Sequence, residues 1–485
     1  MVFSSHLFVY GFLPVALAVY YLLPRRARHL GLTILSYIFY GWSNPAFMGL
    51  MLFSTVVDYF CGLRMVGQPA WGGRGELRAL DPGGPRSRQQ RTALTLSIIT
   101  NLSLLGFFKY FNFGVDSYNV IVAWLGMPDL SVETVLRVVL PLGISFYTFQ
   151  SMSYSIDVFR GRTSPLRSFI DFACYVSMFP QLVAGPIIRF SEVADQLKSR
   201  SHTLEKFSRG VAFFSLGMAK KVLLANPCGK VADVIFDAGS ALAIDAWYGL
   251  AAYSFQIYFD FSGYSDMAIG LGLMLGFVFP KNFDSPYKSQ SITEFWRRWH
   301  ISLSTWLRDY LYVPLGGNRH GRRRTYLNLA VVMLLGGLWH GAAWNFVIWG
   351  GFHGALLSLE RARGKRSHYG RLPRFVRVTI TFFLVSLGWV FFRAADLPGA
   401  IDYLATMAGA GALQDGAGLV AGVVYQPYYL LTVVVAALIA FVGPQTWDWT
   451  RRLSWPKAVT CAAALVVALL AMATQEYNPF IYFIF

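Results

Sequence analysis

The chain has 485 residues, of which 55% are hydrophobic and only 14% are charged, and its mean hydropathy is +0.45. Soluble domains average about 25% charged residues, so this composition excludes a string of soluble domains and indicates a protein embedded in a membrane. The net charge of +17 would suit a nucleic-acid-binding protein, but the positions of the basic residues argue against that class.

Basic residues cluster in short breaks between apolar runs. Nearly half of the 42 lysines and arginines lie in residues 25–28, 64–91, 319–324 and 361–377. Such clusters are typical of the cytoplasmic loops of membrane proteins. We therefore predict cytoplasmic loops at these places, with membrane lipid as a partner and no nucleic acid.

Apolar runs follow one another along the whole chain, and a spanning helix needs about 20 apolar residues. The sequence therefore predicts an all-α, polytopic membrane protein with a single transmembrane domain, residues 1–485. Basic residues follow the first run instead of preceding it, so we interpret 6–24 as a retained helix and not as a cleaved signal peptide. The predicted spans are 6–24, 30–45, 46–63, 92–112, 134–157, 168–188, 206–226, 244–278, 325–341, 342–360, 374–393, 427–443 and 457–473.

Prolines and glycines interrupt some of these stretches. In residues 179–186 the prolines break the helical hydrogen-bond ladder, which within a membrane is tolerated only inside protein or along a cavity. We predict a re-entrant element there, and an outer loop at 405–423, which is rich in Gly and Ala. The chain has no repeat of 20–50 residues and no duplicated half, which disfavours a solenoid or a repeat-built transporter.

Two carboxylates occur within an apolar run, because Asp260 and Asp266 lie in the sequence YFDFSGYSD at 258–266. Ionisable groups inside a membrane are costly and are usually functional or paired. The pattern favours a structural role and leaves a direct catalytic role open.

Residues 291–310 mix tryptophans, phenylalanine and arginines. Apolar side chains recur there at helical spacing, at positions 295, 299, 303 and 307. We predict one helix that dips into the cytoplasmic interface. Its arginines suit phosphates, either those of lipids or those of an acyl carrier, and the sequence does not separate the two.

One of the eight histidines stands apart. His340 ends an apolar run and has glycines around it, and sixteen residues of helix beyond the loop at residue 324 would advance it by about 24 Å into the membrane. A buried, neutral imidazole suits a general base, and the glycines let a substrate approach closely. The alternative is a hydrogen-bonded core residue.

The other histidines and the cysteines give weaker signals. We expect His353 to be a packing residue, and we expect ordinary surface or interface positions for His6, His29, His202, His320 and His368. The four cysteines lack CxxC spacing and are expected to be buried thiols. No metal site is predicted, because the chain has neither an HExxH motif nor a tight cluster of His and Cys.

Four motifs together resemble the bacterial branch of the membrane-bound O-acyltransferase family. They are FPQLVAGPI at 179–187, FDFSGYSDMAIG at 259–270, SQSITEFWRRWHISLSTWLRDYLY at 289–312 and GLWHG at 337–341. The resemblance covers nearly the whole chain, and the motif at 289–312 is its most specific part. It implies a bundle of roughly eleven or more transmembrane and re-entrant helices around a central funnel.

The resemblance also implies the site residues. His340 would be the catalytic base, and His300 would be a catalytic partner that binds or polarises the acyl donor. The candidate substrate-binding residues are Trp299, Arg297, Arg298, Asp309, Trp339, Asn345 and Asp260.

The implied function is O-acetylation of a secreted polysaccharide across the bacterial inner membrane, with alginate first and cellulose, another exopolysaccharide or peptidoglycan second. The donor would be cytoplasmic acetyl-CoA or a loaded acyl carrier, with no further cofactor. A periplasmic acetyl relay or an SGNH-type acetyltransferase is the expected partner, because no soluble part of the chain is large enough for a sugar-binding groove. A polysaccharide or lipid transporter is the alternative from another class.

The basic loops generate a topology prediction. In a variant without the four native cysteines, Ser87→Cys and Ser367→Cys should react in spheroplasts only with maleimides that cross the inner membrane. Ala408→Cys, in the predicted outer loop, is the control and should react with impermeant maleimide too. Labelling of Ser87→Cys or Ser367→Cys by the impermeant reagent would overturn the predicted orientation.

Overall fold

A computed structural model of the chain describes residues 2–42, 44–68, 77–132, 137–238, 241–364, 367–410, 419–475 and 477–481. These residues form helices and no strands, so the predicted all-α class is confirmed. They fall into two compact units, one made of Met1–Thr203 with Leu275–Phe279 and the other of Leu204–Met274 with Pro280–Phe485. The single domain over 1–485 stays a prediction.

The first unit begins with a π-helical turn, Leu7–Phe12, that runs directly into the first α-helix. Single 3-10 turns, Arg25–Ala27 and Pro128–Leu130, lie in two of the connections. The α-helices of this unit are α1 (Leu13–Leu22), α2 (Arg28–Gly41), α3 (Ala46–Met65), α4 (Arg88–Trp124), α5 (Ile144–Arg160), α6 (Phe169–Ser177), α7 (Phe179–Leu182) and α8 (Phe190–Lys198).

Helix α5 is buried along most of its length although it is rich in polar residues. It lies between two glycines in the left-handed conformation, Gly143 and Gly161, which other residues adopt with difficulty. Beside it, the buried carboxylate of Asp58 accepts hydrogen bonds from Ser97 (2.6 Å) and Asn101 (2.8 Å). The buried carboxylate of Asp58 is therefore satisfied by polar side chains of α4, as burial requires.

The second unit contains the remaining helices, together with a π-helical turn at Lys220–Ala225, a 3-10 turn at Pro286–Lys288 and a π-helical turn at Arg308–Tyr312. Its α-helices are α9 (Leu204–Ala219), α10 (Asn226–Phe236), α11 (Ala243–Met274), α12 (Ile292–Arg298), α13 (Ile301–Leu307), α14 (Gly321–His340), α15 (Trp344–Ala362), α16 (Arg374–Arg393), α17 (Leu397–Met407), α18 (Leu419–Val424), α19 (Pro427–Phe441), α20 (Thr446–Trp449) and α21 (Trp455–Thr474).

Glycines bring α9 and α11 into close contact. A Cβ atom on Gly217 would lie only 2.5 Å from the carbonyl oxygen of Gly263, and a Cβ atom on Gly210 would lie 2.6 Å from that of Gly270. Small residues in this pattern let the backbones of membrane helices pack directly against each other. Helix α11 is consequently buried almost from end to end.

Four helices of the described residues are long and apolar enough to cross a membrane by length and composition, namely α3, α4, α16 and α21. The predicted count of eleven or more therefore stays a prediction. Helix α5 is too short, with 17 residues, and α11 has buried polar and acidic residues along its length, which face other helices. The chain is a multi-pass membrane protein.

Several predicted boundaries were wrong. The span 168–188 is divided into α6, α7 and a non-helical stretch, because Pro180 starts a new helix after Met178. The span 206–226 continues without interruption into α10. The predicted outer loop at 405–423 contains the end of α17 and most of α18, while its residues 411–418 lie outside the described part, as do Arg74, Lys365 and Arg366 of the basic loops.

Two histidines that were expected to be ordinary surface or interface residues take part in a side-chain network of the first unit. His29 lies between the carboxylate of Asp171 and the guanidinium of Arg200, which is 2.6 Å from its Nε2. The hydroxyl of Tyr20 lies 2.9 Å from Nε2 of His202 and accepts a hydrogen bond from Arg200. The sequence prediction was wrong here because these partners are distant along the chain.

Candidate active site

His340 is the last residue of α14, and the chain turns through 341–343 into α15. The two helices pack closely because a Cβ atom on Gly337 would overlap the carbonyl oxygen of Phe346, and one on Gly350 would overlap that of Met333. Bulkier residues at these positions would push the helices apart. The turn thus fixes the imidazole against the start of the next helix.

Aromatic rings surround His340, which is only 7% exposed. Its ring centroid lies 5.0 Å from Trp339, 5.2 Å from Trp349 and 5.2 Å from Phe392. The imidazole of His300 lies 6.4 Å away, between centroids. The two histidines of the motifs therefore meet in one site, as the sequence interpretation required.

His300 lies at a break between two helices. The sequence predicted one helix through 295–307, and that prediction was wrong, because α12 ends at Arg298 and α13 begins at Ile301. His300 has a φ of +42°, a left-handed conformation that is uncommon for residues other than glycine. Asn282 stabilises the break with two hydrogen bonds. Its backbone carbonyl accepts one from the amide of Ile301, and its side-chain oxygen accepts one from the hydroxyl of Ser302 at 2.8 Å.

The break leaves the His300 ring fully buried with one nitrogen engaged. Nδ1 lies 3.3 Å from the side-chain oxygen of Asn282. Nε2 has no hydrogen-bond partner among the residues that the structure describes. A buried polar atom without a partner is uncommon in proteins, and a site for a substrate is one explanation of it.

Two cavities meet at His340. The first is narrow, with only about 10 Å³ open to a water-sized group, and is lined by Ile257, Phe261, Trp299, His340, Trp349, Trp389, Phe392 and Ile481. The second is wider, with about 120 Å³ open to such a group, and is lined by Trp296, Leu303, Ser304, Leu307, Val332, Met333, Gly336, His340, Trp349 and Leu357. Only His340 and Trp349 belong to both linings, so His340 borders a narrow space on one side and a wider one on the other.

Comparison with known proteins identifies the family. The family model for the membrane-bound O-acyltransferase family matches residues 90–388. The "Probable alginate O-acetylase AlgI" of Azotobacter vinelandii is 43% identical over the whole of both chains. The protein is a membrane-bound O-acyltransferase. The "Probable alginate O-acetylase AlgI" of Pseudomonas aeruginosa is 50% identical over 82% of this chain and 73% of the relative. A "Peptidoglycan O-acetyltransferase" of Helicobacter pylori is 39% identical over 84% of this chain and 80% of the relative.

Family membership decides between the two classes of function that the sequence left open. The protein is an O-acyltransferase, and the transporter alternative is no longer needed.

The predicted substrate-binding residues of this O-acyltransferase are distributed unevenly around the site. Trp299 lines the first cavity and Trp339 packs on both histidines. Arg297 is exposed, whereas Arg298 forms an ion pair of 2.8 Å with Glu294. Neither arginine lines a cavity at His340.

The other three candidates have partners within the protein. Asp309 binds the neighbouring Arg308 at 2.7 Å. The side-chain amide of Asn345 donates to the carbonyls of Phe391 and Ala394, at 3.1 and 2.8 Å, near the end of α16. Asp260 pairs with Lys221 at 2.8 Å. Their roles in substrate binding stay predictions.

Sequence reasoning missed three residues of the site. Asn282 and Ile481 reach it from far along the chain, and no local pattern marks either. Trp349 lines both cavities, and its indole Nε1 has no hydrogen-bond partner within the described residues. Its place four residues before His353 was a usable signal in the sequence, because residues at that spacing share one face of a helix.

The geometry of His300 gives a prediction about the donor. Replacing His300 by Asn or Ala should weaken binding of acetyl-CoA at least as much as it lowers turnover, because Nε2 is a buried polar atom left unengaged by the protein, to which the donor can bind. Asn is the better variant, since it adopts the left-handed backbone more readily than Ala. Direct binding measurements and initial rates on purified protein test this, with His320→Ala as the surface control. Unchanged donor affinity with vanished turnover, in both variants, would contradict this role for His300.

Proposed function

We propose that this O-acyltransferase moves acetyl groups from a cytoplasmic donor, acetyl-CoA or a loaded acyl carrier, across the bacterial inner membrane for O-acetylation of a secreted polysaccharide. The observation that carries the proposal is the position of His340 and Trp349 between two cavities. A donor approaching from one side and an acceptor approaching from the other would meet at the imidazole.

The transfer needs a base, and His340 is in place to act as one. The hydroxyl oxygen of the acceptor attacks the thioester carbonyl carbon, forming the new C–O bond as the C–S bond breaks. The hydroxyl proton passes to the imidazole of His340 and then to the departing thiolate. The products are an ester and a free thiol, and the reaction requires no oxidant, reductant or further cofactor.

The carbonyl oxygen becomes negatively charged as the hydroxyl adds. Hydrogen-bond donors fixed in an apolar site stabilise such a charge strongly, because no water competes with them. The indole N–H of Trp349 is buried and unengaged, so it is our candidate for this donor. His300, whose ring packs on Trp339 as that of His340 does, would bind or polarise the acyl donor.

Alginate is the first candidate for the polymer. The support is similarity, since the relatives that are 43% and 50% identical are named probable alginate O-acetylases. Peptidoglycan is the second candidate, because the relative that is 39% identical is a peptidoglycan O-acetyltransferase. Cellulose or another exopolysaccharide remains as a further alternative from the sequence.

The role of His340 has a direct test. His340→Ala should lower polymer acetylation by roughly 100- to 10,000-fold, the range over which general bases contribute. The measurement is ester content of the secreted polymer in a strain whose only copy carries the variant, with membrane level and elution in detergent monitored. His353→Gln is a matched control, because it removes another buried imidazole that lines neither cavity. Normal polymer acetylation in the strain with His340→Ala would contradict the role of His340 as the general base.

We also propose that the immediate acceptor is a hydroxyl on a periplasmic partner, such as a relay protein or an SGNH-type acetyltransferase. A polymer needs an extended groove, whereas the first cavity at His340 leaves only about 10 Å³ open to a water-sized group. With purified protein in liposomes, acetyl-CoA on one face and polymer on the other, acetylation should require the partner. Full polymer acetylation without it would refute the relay.

A further inference from the structure

A short segment that follows α21, Tyr477 to Ile481, packs against the second unit, and its last two residues are buried there. Phe480 and Ile481 are only 3% and 2% exposed. The Phe480 ring stacks on Tyr264 of α11, with centroids 4.6 Å apart. The segment is therefore packed against the central helix and belongs to the core.

A buried ion pair holds the backbone of this segment. Nζ of Lys221 lies 2.8 Å from Oδ1 of Asp260, and the two side chains are 3% and 1% exposed. The other carboxylate oxygen accepts the backbone N–H of Ile481 at 2.9 Å, and the ammonium donates to the carbonyl of Pro479. Burying two charges is costly unless further hydrogen bonds satisfy them, and the segment supplies those bonds.

The π-helical turn Lys220–Ala225 places two consecutive lysines against α11. Lys220 binds Asp266 at 2.6 Å, and Lys221 binds Asp260. Only the second pair contacts the segment, since Lys220 and Asp266 share Thr446 as their other partner. Asp260 and Lys221 are thus placed to position the segment, and the neighbouring pair is a natural comparison.

Ile481 also lines the first cavity, together with His340. The remaining lining consists of apolar and aromatic side chains from other helices of the unit. Protein interiors are packed so closely that one methylene group matters. The side chain of Ile481 therefore limits the space available to a group bound beside the imidazole.

We propose that Ile481 sets the size of the acyl group that this enzyme transfers, and that the Lys221–Asp260 pair positions it for that purpose. The inference rests on the proposed acyl transfer at His340. The ligand of the first cavity is then the short acyl chain of the donor, with its carbonyl next to the imidazole and its alkyl end against Ile481. Asp260 is a positioning residue in this scheme and does not touch the substrate.

The test compares acyl chain lengths. Inside-out membrane vesicles are prepared from a polymer-producing strain whose only copy of the gene encodes the variant. They receive labelled acetyl-, propionyl- or butyryl-CoA, and the base-labile label in polymer and in protein is counted. Ile481→Ala should raise the ratio of butyryl to acetyl transfer by roughly tenfold or more, the scale of discrimination that a methylene gives in an apolar pocket. Ile235→Ala removes an equally buried isoleucine that lines neither cavity and should leave the ratio unchanged.

The ion pair needs a second variant, because Asp260→Asn alone leaves a buried lysine uncompensated and risks misfolding. The double variant Lys221→Met with Asp260→Leu removes both charges. It should elute in detergent like the wild type and shift the acyl ratio in the same direction as Ile481→Ala. A double variant of Lys220→Met with Asp266→Leu is the matched control and should keep the wild-type ratio.

The outcomes separate the two proposals. Wild-type transfer with an unchanged ratio in folded Ile481→Ala would overturn the role of Ile481 and leave acyl transfer intact. A shifted ratio in Ile481→Ala with a wild-type ratio in the folded Lys221→Met, Asp260→Leu variant would overturn the role of the pair. No label transfer by wild type from any of the three donors would overturn acyl transfer from coenzyme A, and this inference with it.

Discussion

Two of the buried aspartates of helix α11, Asp260 and Asp266, lie deep among packed helices, and much of the second unit is arranged to satisfy them. Each aspartate has a lysine partner, Lys221 for Asp260 and Lys220 for Asp266. The two lysines are adjacent in the chain, at the start of a π-helical turn, and their carboxylate partners are six positions apart on α11. Gly217 and Gly263 allow the two backbones to approach closely enough for these contacts. The ion pairs and the glycines therefore hold α11 against the same neighbouring segment, α9 with the π-helical turn that follows it.

The site at His340 depends on that arrangement. Ile257 and Phe261 of α11 line the first cavity on either side of Asp260 in sequence, and Asp260 holds the backbone of Ile481, which lines the same cavity. Phe261 also packs on His300, with ring centroids 4.6 Å apart. A shift of α11 would move three walls of the cavity and one of the two histidines at once. The pair of Asp260 with Lys221 therefore holds the helix and the segment that form these walls.

Local patterns predicted part of this molecule well. The apolar run before His340, followed by a glycine, marked a helix end, and α14 does end there. The resemblance of the motifs to the family, more than any local pattern, indicated that His300 and His340 share one site. The break at His300 was not predictable from periodicity, because the apolar spacing continues through it and its stabilising partner, Asn282, lies in an earlier loop. The roles of His29 and Ile481 were missed for the same reason, since they arise only from contacts between distant parts of the chain.

The apolar walls around His340 carry a chemical consequence. A thioester beside a general base would be hydrolysed if water had free access, so a transferase gains from a site that excludes water until the acceptor arrives. The first cavity is small and surrounded by aromatic rings, with the imidazole and the indole N–H of Trp349 as its main polar features. Excluding water also strengthens each of those polar groups, because a hydrogen bond to a developing charge is worth more at low dielectric. The apolar walls therefore protect the thioester from hydrolysis and also strengthen the few polar groups that carry out acyl transfer within the membrane.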